Sequence, residues 1–252
     1  MNKIKIIFLT ILISSCGFKY NPITNNKVLE NFNIESPEDL TKLTKLNLHS
    51  TFYYTPQLAN IPNGIDIRDK YDKPLGVKLS KDDWCTAALE GSFTVNHSRN
   101  FSSVSTISNQ TATFNYATTT NNYYVDCNSY GSPYIGFSKF KKAIGKYGDG
   151  VKNYKLIPYR TIAVDPKFLP IGKLIYIPKA RGIKFKNDQN KTITHDGYFF
   201  SADQGGIIKN NHIDIFIGNH TVSPFKFRNN EILDAYIIEE SEMKDVIQKQ
   251  HL

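Results

Sequence analysis

The sequence predicts a mainly β protein whose C-terminal half forms a β-barrel. Two observations predict this fold class. From Thr51 onward, aromatic and β-branched residues recur in short segments with a period of two, which is the spacing of a strand with one buried face. After about residue 150, five such segments follow one another, separated by clusters of Pro, Gly or Asn. Short strands at this density indicate a β-barrel rather than a parallel sheet with connecting helices.

These segments predict the individual strands in chain order. Their ranges are 52–54, 91–95, 111–117, 162–164, 174–177, 197–202, 213–217 and 232–238. One helix is predicted at about 134–147, where apolar residues fall near helical spacing and Gly148 closes the segment. The stretch 96–122 is rich in Ser, Thr and Asn, and its interleaved Phe and Tyr residues favour exposed hairpins over a low-complexity linker.

The N-terminus has the features of an export signal. Lys3 and Lys5 precede a short apolar run that ends in Ser14-Ser15-Cys16. The run is too short to span a bilayer, which needs about 20 apolar residues. Because small residues directly precede it, Cys16 is predicted to be the lipidated cysteine of a bacterial lipoprotein, with residues 1–15 as the signal peptide. An ordinary secretory signal with an incidental cysteine is the alternative.

Charge and compartment narrow the class of partner. The formal charge is +8, and removal of the signal lysines lowers it to +6. A basic exported protein commonly faces anionic polymers, and peptidoglycan carries lactyl and peptide carboxylates. No nucleic-acid-binding signature is present, so nucleic acid is not expected as a partner. Zinc-type Cys/His spacing and haem motifs are also missing, so neither a metal nor a cofactor is expected. Gly17 follows the lipidated position, which favours the periplasmic face of the outer membrane over inner-membrane retention.

The mature chain divides into four predicted parts. They are a polar tether at 16–48, a β-rich N-terminal part with one helix at 49–150, the barrel core at 151–240 and a polar C-terminal tail at 241–252. Removal of the signal leaves Cys85 and Cys127, for which an oxidising compartment predicts a disulfide. Closing a loop of about 42 residues would stabilise the fold by roughly 4 kcal/mol. Two separate buried thiols are the alternative.

Three aspartates stand on predicted strands or directly after them. Asp165 follows one strand, Asp203 follows another, and Asp214 lies inside the strand at 213–217. The isoleucines of that last strand share one face, so Asp214 and Phe216 share the other. A carboxylate beside an aromatic ring on a barrel surface suits a sugar subsite, since rings stack on pyranoses and partial desolvation raises the pKa of an acid.

The turn after Asp203 contains two consecutive glycines, Gly205 and Gly206. Glycines allow backbone to approach a ligand closely or to adopt positive φ. The structural alternative for Asp203 is a hydrogen bond that stabilises this turn.

Four motifs that contain these residues resemble, in order, the three-aspartate (3D) domain found in lytic murein transglycosylases. The motifs are Tyr159–Pro166 with Leu169–Gly172, His195–Phe199, Asp203–Lys209 and Ile213–Phe216. The resemblance covers about residues 156–220. Upstream, Tyr53-Tyr54-Thr55-Pro56 and the segment 85–91 resemble the N-terminal part of shorter 3D-domain proteins.

The resemblance implies a six-stranded double-psi β-barrel with Asp214 at the catalytic position and Asp203 and Asp165 as the other two aspartates of the site. The chemistry of the side chains adds candidate substrate-binding residues near them, which are Gly205, Gly206, Lys209, His212 and Phe216. Lys209 would pair with a lactyl or peptide carboxylate, and a solvated turn lysine is the alternative. His195 and His212 would bind sugar hydroxyls, and polar residues that are hydrogen-bonded at strand ends are the alternative. Gln204, Ile207, Asn210 and His212 depart from the residues usual in the family, which puts substrate placement at this turn in question.

The implied reaction is cleavage of the bond between N-acetylmuramic acid and N-acetylglucosamine, with formation of anhydro-muramic acid and Asp214 as the general acid and base. Two other functions are open at this point. One is a non-catalytic, expansin-like peptidoglycan-binding lipoprotein, since double-psi barrels also serve as binders. The other is a glycosidase that uses water, with Asp203 and Asp214 as its carboxylate pair.

Overall fold

The computed structural model describes residues 32–97, 110–130, 133–228, 230–239 and 241–252. The predicted signal peptide and Cys16 lie outside the described residues, as does 98–109 within the Ser, Thr and Asn-rich stretch. In the described ranges, none of the helices combines the length and the apolar character that crossing a membrane requires.

The described residues form fourteen strands and two α-helices. In chain order they are β1 (Thr44–Tyr53), β2 (Gln57–Ala59), β3 (Ile65–Arg68), β4 (Pro74–Leu79), α1 (Lys81–Glu90), β5 (Ser92–His97), β6 (Gln110–Thr119), β7 (Ser138–Lys142), β8 (Thr161–Ala163), β9 (Leu174–Tyr176), β10 (Lys184–Lys186), β11 (Thr192–Thr194), β12 (Tyr198–Asp203), β13 (His212–Phe216), β14 (Leu233–Ile238) and α2 (Glu242–Gln250).

Six of these strands close into the predicted barrel, in the order β1-β13-β8-β12-β9-β14. Two neighbouring pairs are parallel, β1 with β13 and β8 with β12, and the other pairs are antiparallel. Closure leaves no unpaired sheet edge. The six-stranded barrel of mixed strand direction confirms the predicted fold class and fits the double-psi description.

The barrel interior is filled by alternate residues of its strands. Ile162 of β8, Phe199 of β12 and both Ile213 and Ile215 of β13 belong to one buried cluster. Because side chains alternate between the two faces of a strand, the residues between them point outward. The face that carries Asp214 is therefore the outer surface of the barrel, as the alternation in the sequence predicts.

A second layer stands beside the barrel. It consists of a four-stranded sheet in the order β2-β5-β6-β7, the hairpin β3-β4 and helix α1. Its own core contains Trp84, Phe93 and Phe140. The predicted disulfide joins Cys85 of α1 to Cys127. This bond ties the helix to the segment between β6 and β7.

The predicted helix at 134–147 is wrong. A 3-10 helix spans Pro133–Phe137 and is followed directly by strand β7. Phe140 pairs with Tyr116 of β6 and packs edge-on against Trp84 at a centroid distance of 5.6 Å. A 3-10 turn followed by a short strand also places apolar residues three and four positions apart, so the spacing imitates a helix.

The predicted boundaries at both ends of the barrel also differ from the structure. Residues 44–48 belong to β1, where Leu48 fills the barrel interior, so the predicted tether extends too far. The predicted polar tail contains α2, which begins at an N-cap serine, Ser241, and buries Ile247 against Tyr154 and Phe200. In each case an apolar face packs on the barrel, which the surrounding polar residues concealed in the sequence.

The first described residues are held against the side of the barrel. The ring of Phe32 covers the guanidinium of Arg160 at 4.1 Å, and the backbone N–H of Ile34 donates to Asp196. Beneath them, Arg160 and Asp196 form a buried ion pair with a distance of 2.8 Å. His195 is fully buried next to this pair and bonds the carbonyl of Tyr159. This histidine is therefore a hydrogen-bonded core residue.

Candidate active site

Two of the three predicted aspartates lie in one row across adjacent barrel strands. Asp203 of β12 and Asp214 of β13 both pair with Ala163 of β8, and Asp214 also pairs with Thr51 of β1. Neighbouring strands lie about 4.8 Å apart, which places the Cα atoms of the two aspartates roughly 10 Å apart. Ala163 lies between them in the row and is buried, and Tyr53 of β1 reaches across to bond Asp203.

A β-bulge places the carboxylate of Asp203 in this row. The pairing of β12 with β8 shifts register between Ser201 and Asp203. Without the shift, Asp203 would continue the alternation of Phe199 and Ser201 and face the barrel interior. Bulges commonly redirect a side chain next to an active site. Here the shift brings Asp203 to the outer surface, within reach of Tyr53 on β1.

Asp214 is half-buried and has one hydrogen-bonding partner from β1. Its Oδ1 accepts a hydrogen bond of 2.8 Å from the hydroxyl of Thr51. Burial raises the pKa of Asp214 to about 6, although the bond from Thr51 acts in the opposite direction. The carboxyl therefore keeps its proton in mildly acidic solution, where an ordinary aspartate is ionised.

Asp203 is also half-buried, and both of its oxygens accept hydrogen bonds. The hydroxyl of Tyr53 donates to Oδ2 and the backbone N–H of Gln204 donates to Oδ1, each at 2.9 Å. Burial raises the pKa of Asp203 to about 6, and the charge of Asp214 adds to this rise. Ionisation of Asp214 therefore opposes ionisation of Asp203.

Asp165 has a different environment from the other two aspartates. One oxygen accepts from the backbone N–H of Lys167 and the other from that of Asn210, each at 3.0 Å. These bonds hold the pKa of Asp165 below its ordinary value. The carboxylate is thus held in its charged form and joins two loops. The catalytic role of Asp165 stays a prediction.

The turn after Asp203 lies open at the surface. Position 205 requires glycine, because a Cβ there would come within 2.5 Å of Ile208. A Cβ at position 206 would contact no other atom. Neither glycine has the positive φ that the sequence suggested. The left-handed residue of this loop is Asn210, with a φ of 55°. Asparagine tolerates this region better than most residues, which explains how it can stand where glycine is usual in the family. The side chain of Lys209 is exposed.

His212 supports the site from the side. Its Nε2 lies 2.7 Å from the hydroxyl oxygen of Thr51, and its ring stacks on His49 at 4.5 Å. With the proton on Nε2, His212 donates to Thr51, and Thr51 donates onward to Asp214. Burial, together with the neighbouring His49, lowers the pKa of His212.

Phe216 shares the outer face with Asp214, as predicted, but the expected sugar stacking is wrong. Its ring is fully buried. Tyr53 covers it from one side at a centroid distance of 5.1 Å and Tyr147 from another at 6.0 Å. The ring therefore supports Tyr53, which in turn holds Asp203.

Glu90 is an acidic residue near the row that the sequence did not single out. It is the last residue of α1, and its Oε2 accepts from the backbone N–H of Tyr54 at 3.4 Å. It lies close enough to Asp214 for the two charges to interact. A glutamate directly before the glycine that ends a helix is an unfavourable charge position, and this is the signal that could have drawn attention to it.

A cavity of about 230 Å³ lies elsewhere, between Phe32, the β10-β11 hairpin and the segment from Tyr147 to Tyr159. It shares with the site only the ring of Tyr147 behind Phe216. Among the described residues, no group of three or more His, Cys, Asp or Glu side chains could hold a metal ion. The row of carboxylates lies outside this cavity.

Comparison with known proteins relates this site to a family. Residues 160–223 match the family model of the 3D domain. No curated protein matches the chain. Among solved structures, it resembles E. coli MltA with bound chitohexaose, with 15% identity, a TM-score of 0.48 and coverage of 76% of this chain and 71% of the other. It also resembles the membrane-bound lytic murein transglycosylase of Agrobacterium tumefaciens, with 14% identity, a TM-score of 0.46 and coverage of 79% of this chain and 77% of the other. For MltA of Neisseria gonorrhoeae the identity is 12%, the TM-score 0.45 and the coverage 77% of this chain and 71% of the other. The chain therefore contains a 3D domain at residues 160–223, and Asp165, Asp203 and Asp214 all lie within it.

Proposed function

We propose that this protein is a peptidoglycan lytic transglycosylase with Asp214 as its general acid and base. The observation that carries the proposal is the position of Asp214 on the outer face of a closed barrel, half-buried and with its pKa raised to about 6. A general acid works best when its pKa lies near the working pH. The match of residues 160–223 to the 3D domain supports the same reaction class.

In the proposed reaction, protonated Asp214 donates its proton to the oxygen that links N-acetylmuramic acid to N-acetylglucosamine. The bond from this oxygen to C1 of the muramic acid breaks, and positive charge develops on C1 and the ring oxygen. The carboxylate then accepts the proton of the C6 hydroxyl of the same sugar, whose oxygen bonds to C1. The product is a 1,6-anhydro sugar, Asp214 regains its proton, and no water is consumed. A positioned acid and base of this kind contributes about 10² to 10⁴ in rate.

Thr51 determines which oxygen of Asp214 carries the proton. Its hydroxyl donates to Oδ1, so Oδ1 acts as an acceptor. The exchangeable proton is then on Oδ2, the oxygen that takes part in the reaction. In the tautomer that carries its proton on Nε2, His212 reinforces this direction, because its donation to the Thr51 oxygen leaves the hydroxyl hydrogen free for Asp214.

Asp203 acts on Asp214 through its charge. The charge of Asp214 raises the pKa of Asp203. Because repulsion between two carboxylates is mutual, an ionised Asp203 opposes ionisation of Asp214 in turn. Tyr53 holds Asp203 by a hydrogen bond of 2.9 Å. Asp165 contributes indirectly, because it joins the loop at Asn210 to the end of β8.

The substrate in this proposal is a glycan strand of peptidoglycan. The turn next to Asp203 contains half-buried Gly205 and exposed Gly206, where backbone can approach a sugar. Exposed Lys209 on the same loop can pair with a lactyl or peptide carboxylate. Lipidation at Cys16 would hold the protein at the periplasmic face of the outer membrane, next to this polymer.

Digestion of purified sacculi tests the proposal. Wild-type protein is expected to release muropeptides with anhydro ends, which mass spectrometry detects. Asp214→Asn is expected to lower the rate by at least about 10² while the protein stays folded. Asp234→Asn is the matched control, because Asp234 lies on barrel strand β14 and forms an exposed ion pair with Lys45. It should digest sacculi like the wild type.

The same assay separates the proposal from its two rivals. Release of products with reducing ends would indicate a glycosidase that uses water, with Asp203 and Asp214 as the pair. Sedimentation with sacculi but without any product, unchanged in Asp214→Asn, would indicate a wall-binding protein.

A further inference from the structure

Glu90 reaches the candidate active site from the second layer of the protein. It ends helix α1, and the carbonyl of the following residue, Gly91, accepts the backbone N–H of Tyr116 in the four-stranded sheet. Its carboxylate accepts the backbone N–H of Tyr54, the residue that follows β1. Since β1 also presents Thr51 and Tyr53 to the aspartates, Glu90 stands where the second layer meets the catalytic row.

The surroundings of Glu90 disfavour a negative charge. Glu90 is the last residue of α1, which Gly91 caps in the left-handed conformation. This carboxyl end of the helix carries a partial negative charge. Glu90 is half-buried, and its hydrogen bond from Tyr54 is long, at 3.4 Å. Among the described residues, no lysine or arginine forms an ion pair with it.

The titratable groups of the described residues that interact with Glu90 also carry no positive charge. They are the phenols of Tyr53 and Tyr54 on and after β1, and the carboxyl of Asp214 on β13. Burial raises the pKa of Glu90 to about 7, and the charge of Asp214 adds to the rise against the bond from Tyr54. A neutral carboxyl is therefore well populated at this position near neutral pH.

A neutral carboxyl can do what a carboxylate cannot, because it has a hydrogen to donate. One oxygen of Glu90 is used as the acceptor for Tyr54. A proton on the other oxygen can then be donated to a ligand. Both sugars of peptidoglycan carry an acetamido group, whose carbonyl is a strong acceptor, and the muramic acid also carries a carboxylate that a charged Glu90 would repel.

We infer that Glu90 is a substrate-positioning residue that acts as a neutral carboxyl and donates a hydrogen bond to an acetamido carbonyl of the glycan lying over Asp214. The inference rests on the proposed function for the class of ligand. It assigns separate tasks to two acids: Asp214 transfers the proton, whereas Glu90 holds the sugar. Ionisation of Glu90 above neutral pH then weakens binding without a direct effect on proton transfer.

Binding of chitohexaose to the full-length protein in detergent, measured by calorimetry, tests the inference. Between pH 6 and pH 8 the wild type is expected to bind about tenfold more weakly, because the neutral fraction of a group with a pKa of about 7 falls by that factor. Glu90→Gln keeps an acceptor for Tyr54 and a donor for the sugar at every pH. Its affinity should therefore match the wild-type value at pH 6 and show at most a small change at pH 8.

Two further variants complete the design. Glu90→Ala should bind weakly at both pH values and raise KM on sacculi with little change in kcat. Glu242→Gln, at an exposed position in the first turn of α2, is the matched control and should follow the wild type at both pH values. The Tm of each variant shows whether it is folded. If Glu90→Gln loses affinity with pH as the wild type does, or if wild-type affinity is independent of pH, the inference is wrong.

The outcomes of the two proposals are distinguishable. Chitohexaose binding that depends on Glu90, together with sacculi that release no anhydro products, would retain the binding role and reject the transglycosylase. Anhydro products together with an unchanged pH dependence in Glu90→Gln would do the reverse.

Discussion

Replacement of Thr51 by valine tests how the barrel controls the acid. Valine has nearly the shape of threonine and suits a strand, but it lacks the hydroxyl that donates to Asp214 at 2.8 Å. This hydrogen bond stabilises the carboxylate more than the neutral acid. Its loss should therefore raise the pKa of Asp214 above its value of about 6.

The size of the shift follows from the strength of the bond. A hydrogen bond to a charged group contributes about 1.5–3 kcal/mol and one between neutral groups about 0.5–1.5 kcal/mol, a difference of about 1 kcal/mol. Thr51 is exposed, so water replaces part of the lost bond. With about 1.4 kcal/mol for each pKa unit, the expected rise is roughly 0.5 unit.

Two measurements report this shift. A carbon-13 NMR titration of the aspartate carboxyls, with Asp214→Asn to assign the signal, should show the Asp214 midpoint at higher pH in Thr51→Val. The alkaline limb of the pH profile for sacculus clearing should move in the same direction. Thr44→Val, at the exposed start of the same strand, is the control and should leave both unchanged. A midpoint that stays in place or falls would refute the direction assigned to this hydrogen bond.

The remaining predictions concern stability. Burial lowers the pKa of His195 and of His251 to about 3, so both stay neutral in the folded protein. In the unfolded chain they take up protons below about pH 6.5. As the pH falls from 7 to 5, each histidine should therefore lower the free energy of unfolding by about 2 kcal/mol, and the loss should continue down to about pH 3. Asp203 and Asp214 act with the opposite sign, because their raised pKa values make the folded state take up protons first. The free energy of unfolding, measured in urea, should therefore fall more between pH 7 and pH 5 for the double variant Asp203→Asn/Asp214→Asn than for the wild type. An equal fall would contradict the raised pKa values of the two aspartates. Asp196→Asn should lower the free energy of unfolding by about 3–5 kcal/mol, because it removes the carboxylate that pairs with buried Arg160. Asp234→Asn on the surface should change it by less than about 1 kcal/mol. Equal Tm values for the two variants would contradict this difference.

Much of the fold could be predicted from local patterns in the sequence. Each predicted strand segment overlaps a strand of the structure, because alternation of apolar and polar residues reflects the two faces of one strand and needs no distant contact. The outward direction of Asp214 follows from the same alternation. The pairing of Cys85 with Cys127 was predictable because only these two cysteines remain after the signal. The helix at 134–147 was wrong because apolar spacing over a short segment does not distinguish a helix from a turn followed by a strand.

The composition of the site, in contrast, depends on contacts between distant segments. Thr51 and Asp214 are 163 positions apart, and only closure of the barrel by β1 places them side by side. The bulge that turns Asp203 outward has no distinctive residue in the sequence.

The sequence by itself determined the strand pattern, the disulfide partners and the identity of the acidic residues. Only the tertiary structure decided which acids keep a proton, because the pKa of a carboxyl depends on its burial and its neighbours rather than on its position in the chain. The tertiary structure also shows that Asp165 accepts a hydrogen bond from the backbone N–H of Asn210 and that the ring of Phe216 packs against Tyr53. Glu90 joined the site only because a second layer folds against the end of β1.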